Sequence, residues 1–272
     1  MAPPHCAAGA AQTRRRVLVS AAALLAAAFA PAPARAGDAG EIRIGQTMPY
    51  SGVASACGVT GHTGHAYVRK IKADGGISGR KVILISLDDA CSPPRTVEQA
   101  RRLVAQDDVR AVFGSAGAPP NMAAHEYLNG RRTPQLSVSS GATIWNQTEK
   151  YPWTIGWQVD YESEVEGRPR GEGISRLHAA ACARSARDAW AAYGYTMIQG
   201  HVHVLRQAGD DLGRENIMKQ ARNMRFKPAM PLRGVGARTG GRRQAPLQAM
   251  QLARFEDGRR ALSGDVINVG DD

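Results

Sequence analysis

KVILISLDDACSPPRTVEQARRLVAQDDVRAVFGSAGAPPNMAAHEYLNGRRTPQLSVSSGAT, residues 81–143, alternates strand-like and helix-like stretches and decides the fold. Residues 81–87 (KVILISL) form a near-continuous apolar run, the pattern of a parallel strand covered on both faces. Residues 96–106 place Val97, Ala100 and Val104 on one side of a helix. A third strand is expected at 109–113, a helix at 121–128 and a fourth strand at 134–138. Upstream, 41–46 (EIRIGQ) alternates apolar and polar residues as a short strand does. Residues 58–73 fit a helix with Ala66, Val68 and Ile71 inward. Asp74-Gly75-Gly76 ends it, because glycine supplies the left-handed cap. Alternation of this kind with short connections predicts a parallel sheet flanked by helices, an α/β fold with right-handed crossovers. Ligands in such sheets sit beyond the carboxyl ends of the strands. The loops there are 51–58, 88–94, 114–121 and 139–145, the last closing on the small-residue stretch SSGAT.

The remainder continues this pattern less regularly. PWTIGW (152–157) reads as a fifth strand, and 164–188 as linker. Helical spacing returns over 189–206 through Trp190, Tyr193, Met197 and Val204, and again over 215–224. Residues 233–245 are rich in Gly and Arg and read as loose. Residues 248–255 and 261–268 form a hairpin around Glu256-Asp257-Gly258.

The N-terminus carries Thr13-Arg14-Arg15-Arg16, an apolar run over 17–29 and Ala34-Arg35-Ala36. This is the order of a cleaved secretory signal, 1–36, with an apolar run too short to span a bilayer. The twin arginines resemble a Tat signal, and an ordinary Sec signal is the alternative. Cys6 does not follow the cleavage site, so a lipid anchor is not expected. The formal charge is +11, and residues 164–260 hold 18 Lys/Arg against 9 Asp/Glu. No aromatic interleaving or nucleic-acid motif accompanies that excess, so it is read as composition and no nucleic-acid partner is expected. Cys57, Cys91 and Cys182 would follow the leader into an oxidising compartment, enough for one disulfide and an odd thiol. Without a Cys-x-x-Cys there is no support for a metal site. His62 and His65, and His201 and His203, are read as solvated.

Seven stretches carry a family resemblance: IRIGQTMPYSG (42–52), ADGGISGRKVILISLDDACSPPRTVEQARRLV (73–104), VFGSAGAPPN (112–121), PQLSVSSGAT (134–143), PWTIGWQVDYESE (152–164), AWAAYGYTMIQGHVHVLRQAGDDLGRENIMKQARNM (189–224) and PLQAMQLARFEDGRRALSGDVI (246–267). They resemble periplasmic branched-chain amino-acid (Leu/Ile/Val-type) binding proteins, the solute receptors of ABC importers. The resemblance implies a type I periplasmic-binding-protein fold, two α/β lobes joined by three crossovers that close on a ligand. It implies a first lobe at 37–145, a crossover and truncated second-lobe stub at 146–188, and C-terminal helices and closing strands at 189–272 that pack back on the first lobe.

The same resemblance implies a binding protein with no catalytic step and no cofactor, located in the periplasm. Its partners would be a small amino-acid or amide solute and an ABC permease of the inner membrane. No Ser-His-Asp or paired-carboxylate arrangement supports the alternative of a secreted hydrolase. A shortened paralogue that no longer binds is the other alternative. Family ligands are held through hydroxyls and backbone amides of first-lobe loops, since each charge of a zwitterion needs fixed dipoles once water leaves. Here Thr143 offers a hydroxyl and an amide, Gly141 a bare carbonyl, and Ala142 lies between them. Ala118 stands where the family has Ser or Thr and keeps only its amide. Cys57 stands where the family often has an aromatic wall. Cys57 and Cys91 follow neighbouring strands, which predicts a disulfide between them. Asp88-Asp89 resembles the magnesium-binding pair of a receiver domain, but an exported chain favours reading both as loop-capping acids.

Overall fold

The protein, represented by a computed structural model, is described here over residues 40–166, 186–229, 235–240, 244–256 and 259–268. The expected leader and most of the 164–188 linker lie outside those residues. Strands β1 (Glu41–Met48), β2 (Lys81–Asp88), β3 (Val112–Phe113), β4 (Gln135–Val138) and β5 (Thr154–Gly156) form one parallel sheet in the order β2-β1-β3-β4-β5. Helices α1 (Gly58–Ala73), α2 (Pro93–Ala105) and α3 (Ala118–Gly130) connect the first four strands. After β2 the chain passes over β1 to build β3, so the order reverses between those two strands. That switch point separates the loops after β1 and β3 and opens a crevice between them.

Both faces of the sheet are covered. On one face Ile42, Ile44, Val82, Leu84, Phe113, Leu136 and Ile155 pack with Val68 and Ile71 of α1. On the other, Val112 packs with Ala100 and Leu103 of α2 and with Ala124 and Leu128 of α3. This two-sided burial explains the apolar run of 81–87. Among the described residues there is one parallel sheet and no second one.

The C-terminal part completes the first of these cores. After α4 (Tyr161–Glu166), α5 (Ala186–Ala208) contributes Met197, Ile198, Val202, Val204 and Leu205, and α6 (Arg214–Arg222) contributes Ile217, Met218 and Ala221. At α5's closest approach to α1, a Cβ on Gly194 would stand 2.8 Å from the carbonyl oxygen of Thr60. Only glycine permits backbone contact of that kind.

The basic excess in this region has a structural use. Arg214 donates to the carbonyls of Val109 (3.1 Å) and Arg131 (3.3 Å), and Arg222 to that of Pro152 (2.6 Å). Arg80 reaches the other way, to the carbonyl of Gly209 (2.6 Å) just past the end of α5. A guanidinium there satisfies carbonyls the helix leaves open and complements its dipole.

Strands β6 (Arg225–Phe226) and β7 (Ala237–Arg238) pair antiparallel, so the stretch read as loose contains a strand. The Thr239 hydroxyl anchors it, accepting from the Met224 amide at 2.8 Å and donating to the Ala221 carbonyl at 2.7 Å. Strands β8 (Ala249–Glu256) and β9 (Arg259–Asn268) form the expected hairpin, with Glu256 opposite Arg259.

His201 is a correction. It is not solvated: it is 1% exposed, lies on α5 and stacks on Phe113 with ring centroids 4.7 Å apart. Among the described residues neither ring nitrogen has a hydrogen-bond partner. Burial pushes its pKa down to about 3.

Two predictions follow from this packing. Gly194→Ala is expected to cost about 1–3 kcal/mol in urea unfolding, because the added methyl meets helix backbone. His201 is neutral when folded and takes a proton near pH 6.5 when unfolded. Stability is therefore lost as pH falls from about 6.5 towards 3, by up to about 4 kcal/mol. His201→Phe is expected to flatten that loss when unfolding is compared at pH 7 and pH 4.

Candidate functional site

The carboxyl ends of the strands gather four loops, each fixed by a local hydrogen-bond pattern. Asp88, the last residue of β2, ties down the loop after β1. Its Oδ1 accepts from the amides of Tyr50 (2.9 Å), Ser51 (3.1 Å) and Ala90 (3.1 Å), and its Oδ2 from the Ser51 hydroxyl (2.6 Å). The Ser51 hydroxyl, followed by these backbone donors, holds the Asp88 carboxyl below the usual carboxylate range. Asp89 is fully buried and accepts from the Cys91 amide and the Thr96 hydroxyl, each at 2.9 Å. Burial pushes its pKa up. Both acids thus work as loop caps. Among the described residues no group of three or more His, Cys, Asp or Glu is arranged to hold a metal ion.

Tyr50 is fixed by the same loop. Its hydroxyl is 2.6 Å from Ser86 Oγ, and Ser86 donates to Gln46 Oε1 at 2.9 Å. The ring fits only because residue 61 is glycine, where a Cβ would collide with the phenol.

The loops after β3 and β4 are knitted into one ledge. Gly117 donates to the Ser139 carbonyl (3.2 Å), and the Ser139 amide to the Ser115 carbonyl (3.0 Å). From beneath, Asn121 Nδ2 donates to the carbonyls of Ser115 (3.0 Å) and Gly117 (2.7 Å). Gln135 donates to Asn121 Oδ1 (3.0 Å), and Thr154 Oγ1 lies 3.3 Å from Gln135 Oε1 and 2.8 Å from His125 Nε2. This buried chain links the ledge to β5, and each link limits how far the loop can drift. Burial holds His125 down to about 4, so it is neutral there.

The residues expected to bind a ligand fall into three states. Ala118 opens α3 after Gly117, whose φ of +89° places that amide at the helix start. The next two residues are prolines without N–H groups, so Ala118 supplies the first donor of the helix N-terminus. Thr143 begins the short 3-10 turn Thr143–Asn146. Among the described residues neither the Ala118 amide nor the Thr143 hydroxyl has a hydrogen-bond partner. These two remain available to a solute.

Gly141 and Ala142 are engaged instead. The Gly141 carbonyl is not bare: it accepts from the Tyr161 amide at 2.7 Å. A Cβ at Gly141 would stand 2.7 Å from the Tyr161 ring, so glycine lets α4 dock there. The Ala142 amide donates to Ser140 Oγ at 3.2 Å.

Cys57 ends the 3-10 turn Ser55–Cys57 and caps α1, half-buried. The expected Cys57–Cys91 disulfide is not formed, and Cys91 is a free thiol. Its sulfur faces Gly117, 3.5 Å from where a Cβ would stand. The physical reason is the direction in which the chain leaves each strand: the loop after β1 leads to α1 on one face, while that after β2 leads to α2 on the other. The two loops touch where Tyr50 and Ser51 donate to Asp88, but Cys57 lies at the start of α1 while the Cys91 sulfur turns toward Gly117. Burial pushes the Cys91 thiol up, which leaves it a poor nucleophile.

Sequence reasoning missed Tyr193. Its hydroxyl accepts from Ser139 Oγ at 3.2 Å and donates to Gln158 Oε1 at 2.6 Å. Burial pushes this phenol's pKa up, and Cys57, Tyr161 and Glu164 are among its electrostatic neighbours. The one available signal was a hydroxyl on an apolar helical stripe, since a buried tyrosine needs a partner.

Residues 41–168 match the periplasmic binding protein family. An amino acid binding protein of Pseudomonas aeruginosa is 32% identical over 111 residues, which is 40% of this chain and 29% of that protein. Leu/Ile/Val-binding protein homolog 7 of Brucella melitensis is 34% identical over 111 residues, 40% of this chain and 26% of its own length. The chain thus spans less than a third of these relatives, 29% and 26%. Among solved structures, a substrate-binding periplasmic protein from Ralstonia solanacearum aligns with TM-score 0.62 at 14% identity, covering 78% of this chain and 97% of that one. That likeness concerns the fold alone. Residues 41–168 thus resemble that family, and the parallel sheet with its flanking helices has the type I periplasmic-binding-protein fold.

Proposed function

We propose that this protein is the extracytoplasmic substrate-binding component of an ABC importer, taking branched-chain amino acids or similar small amino-acid or amide solutes. The observation that carries the reading is the ledge formed by the loops after β3 and β4. It offers the Ala118 amide and the Thr143 hydroxyl beyond the carboxyl ends of the strands, within a segment matching a solute-binding family. A carboxylate meets the positive end of α3 at Ala118 and a hydroxyl donor at Thr143. The family consists of solute-binding proteins rather than enzymes, and the role needs no reaction step. Among the described residues no helix is long and apolar enough to cross a membrane. Delivery would be to a permease in the inner membrane from the periplasm, after export through the leader at 1–36.

A second reading, a shortened paralogue that no longer binds, is favoured by a specific observation. The Gly141 carbonyl, the Ala142 amide and the Ser139 hydroxyl are already satisfied within the chain. One lobe also covers a ligand on one side only, and burial from both sides is what gives such sites their affinity.

A thermal-shift screen of the purified protein against leucine, isoleucine, valine, short amides and urea separates the two. A receptor is stabilised by about 2.7 kcal/mol when solute stands at 100 times its dissociation constant, and a non-binding paralogue is not stabilised. Thr143→Val, which keeps the shape and removes the hydroxyl, is expected to weaken solute binding roughly tenfold by calorimetry. Unchanged affinity in that variant would remove Thr143 from the site.

A further inference from the structure

The Ser139 hydroxyl of the ledge is engaged by Tyr193, and Cys57 is among the electrostatic neighbours of the same phenol. Tyr193 projects from α5 where that helix reaches both the Ser55–Cys57 turn and β4. The register is set one residue on, where Gly194 brings α5 onto the backbone of Thr60. Thr60 Oγ1 also donates to the Trp190 carbonyl at 3.4 Å, and the Trp190 ring meets the Tyr193 ring edge-on at 6.0 Å. The phenol is thereby carried by a fixed helix rather than by a mobile loop.

Its hydroxyl accepts from Ser139 and donates to Gln158, so both hydrogen-bonding directions of a neutral phenol are used. Ser139 belongs to the ledge and Gln158 follows β5. The electrostatic neighbours Cys57, Tyr161 and Glu164 come from the other elements around the candidate site. This arrangement resembles the way a protein holds a bound aromatic alcohol, except that the alcohol is covalently part of the chain.

We propose that Tyr193 is a tethered occupant of the candidate site, and that the Ser139–Gln158 pair forms a subsite for a neutral hydroxyl on a ring. The location rests on the solute-binding reading above; the hydroxyl chemistry does not. A small solute reaches the Ser139–Gln158 pair only when the phenol is displaced or absent. A phenol also suits the subsite better than a zwitterion does, because Ser139 and Gln158 provide one donor and one acceptor and no charge. A phenol is uncharged throughout the neutral range, and burial pushes the Tyr193 pKa further up.

The test compares the full chain with Tyr193→Ala, Tyr193→Leu and Tyr193→Phe, using p-cresol and leucine as probes in thermal shift and calorimetry. Tyr193→Ala is expected to bind p-cresol at least about tenfold more tightly than the unaltered chain, which should show no shift. Tyr193→Phe keeps the ring in place and is expected to behave like the unaltered chain towards p-cresol. Should Tyr193→Ala lack a cooperative melt, Tyr193→Leu keeps apolar bulk on α5 while clearing the hydroxyl subsite, and it carries the same expectation. Failure of p-cresol to shift either folded variant, or an equal shift in the unaltered chain, overturns the proposal. Leucine binding that appears only on shortening Tyr193 supports it. Equal leucine binding with and without the phenol overturns the tethered occupant but leaves the solute-binding reading standing. A p-cresol response with none to leucine supports the subsite and removes the amino-acid reading.

Discussion

The structure depends on the burial of one sheet face beneath α5. Ile42, Ile44, Phe113, Leu136 and Ile155 present that face, and α1 supplies Val68, Ile71 and the partly buried Tyr67 to it. The remainder is closed by Met197, Ile198, Val202 and Leu205, which the chain reaches only after leaving the sheet and returning. Burying a large apolar side chain is worth roughly 1.5–3 kcal/mol, so losing this helix would remove a large part of a marginal net stability. The contact is also exacting. Gly194 lies against Thr60 with no room for a methyl, which fixes the helix along its axis as well as against the sheet. Local cores on both faces and a C-terminal cover for one of them explain why the described residues have a continuous interior.

The arginines of the C-terminal part belong to the same closure. Arg214 and Arg222 each donate to main-chain carbonyls at the edges of the first 160 residues, and Arg80 answers from the sheet side at the end of α5. A guanidinium suits this role because its planar donors can serve two carbonyls at once without a buried carboxylate. Exposed ion pairs, by contrast, contribute little. Arg43 with Glu41 and Arg110 with Asp108 are of that kind, being largely solvated. Two of the arginines in the basic C-terminal part thus serve carbonyl docking.

How much was legible in the sequence follows from which signals are local. Helix 58–73 was readable because Gly75-Gly76 stops it just beyond its end, and α1 has those bounds; Val68 and Ile71 face inward as expected, while Ala66 is exposed and small residues such as Gly61 and Gly64 fill the buried side. Asp88 was readable as a cap because its partners Tyr50 and Ala90 sit on turns the sequence already marks. His201 was not readable. Whether a histidine on a helix meets water or Phe113 depends on the helix's rotation over a sheet contributed by distant residues. The Cys57–Cys91 pairing failed for the same reason: strand adjacency was inferred correctly, but the faces to which the loops depart were not. Gly141 kept its expected place in the ledge, yet its carbonyl had been matched to a solute when Tyr161 was the nearer donor.

The distance between a receptor and a silent relative can then be a matter of one side chain. Two hydrogen bonds at about 1 kcal/mol each, with the burial of a ring, favour the occupied arrangement by roughly 2–4 kcal/mol. Only about 1 molecule in 30 to 1 in 1,000 would then present a free Ser139–Gln158 pair, and apparent affinity for a solute there falls by the same factor. Against such a factor, the identity of residue 118 matters less than it first appears. Ala118 keeps a backbone amide at the start of α3, whereas the Tyr193 phenol takes up both Ser139 and Gln158. Helix α5, which the core requires for stability, thus also fixes the position of the hydroxyl that Ser139 and Gln158 hold.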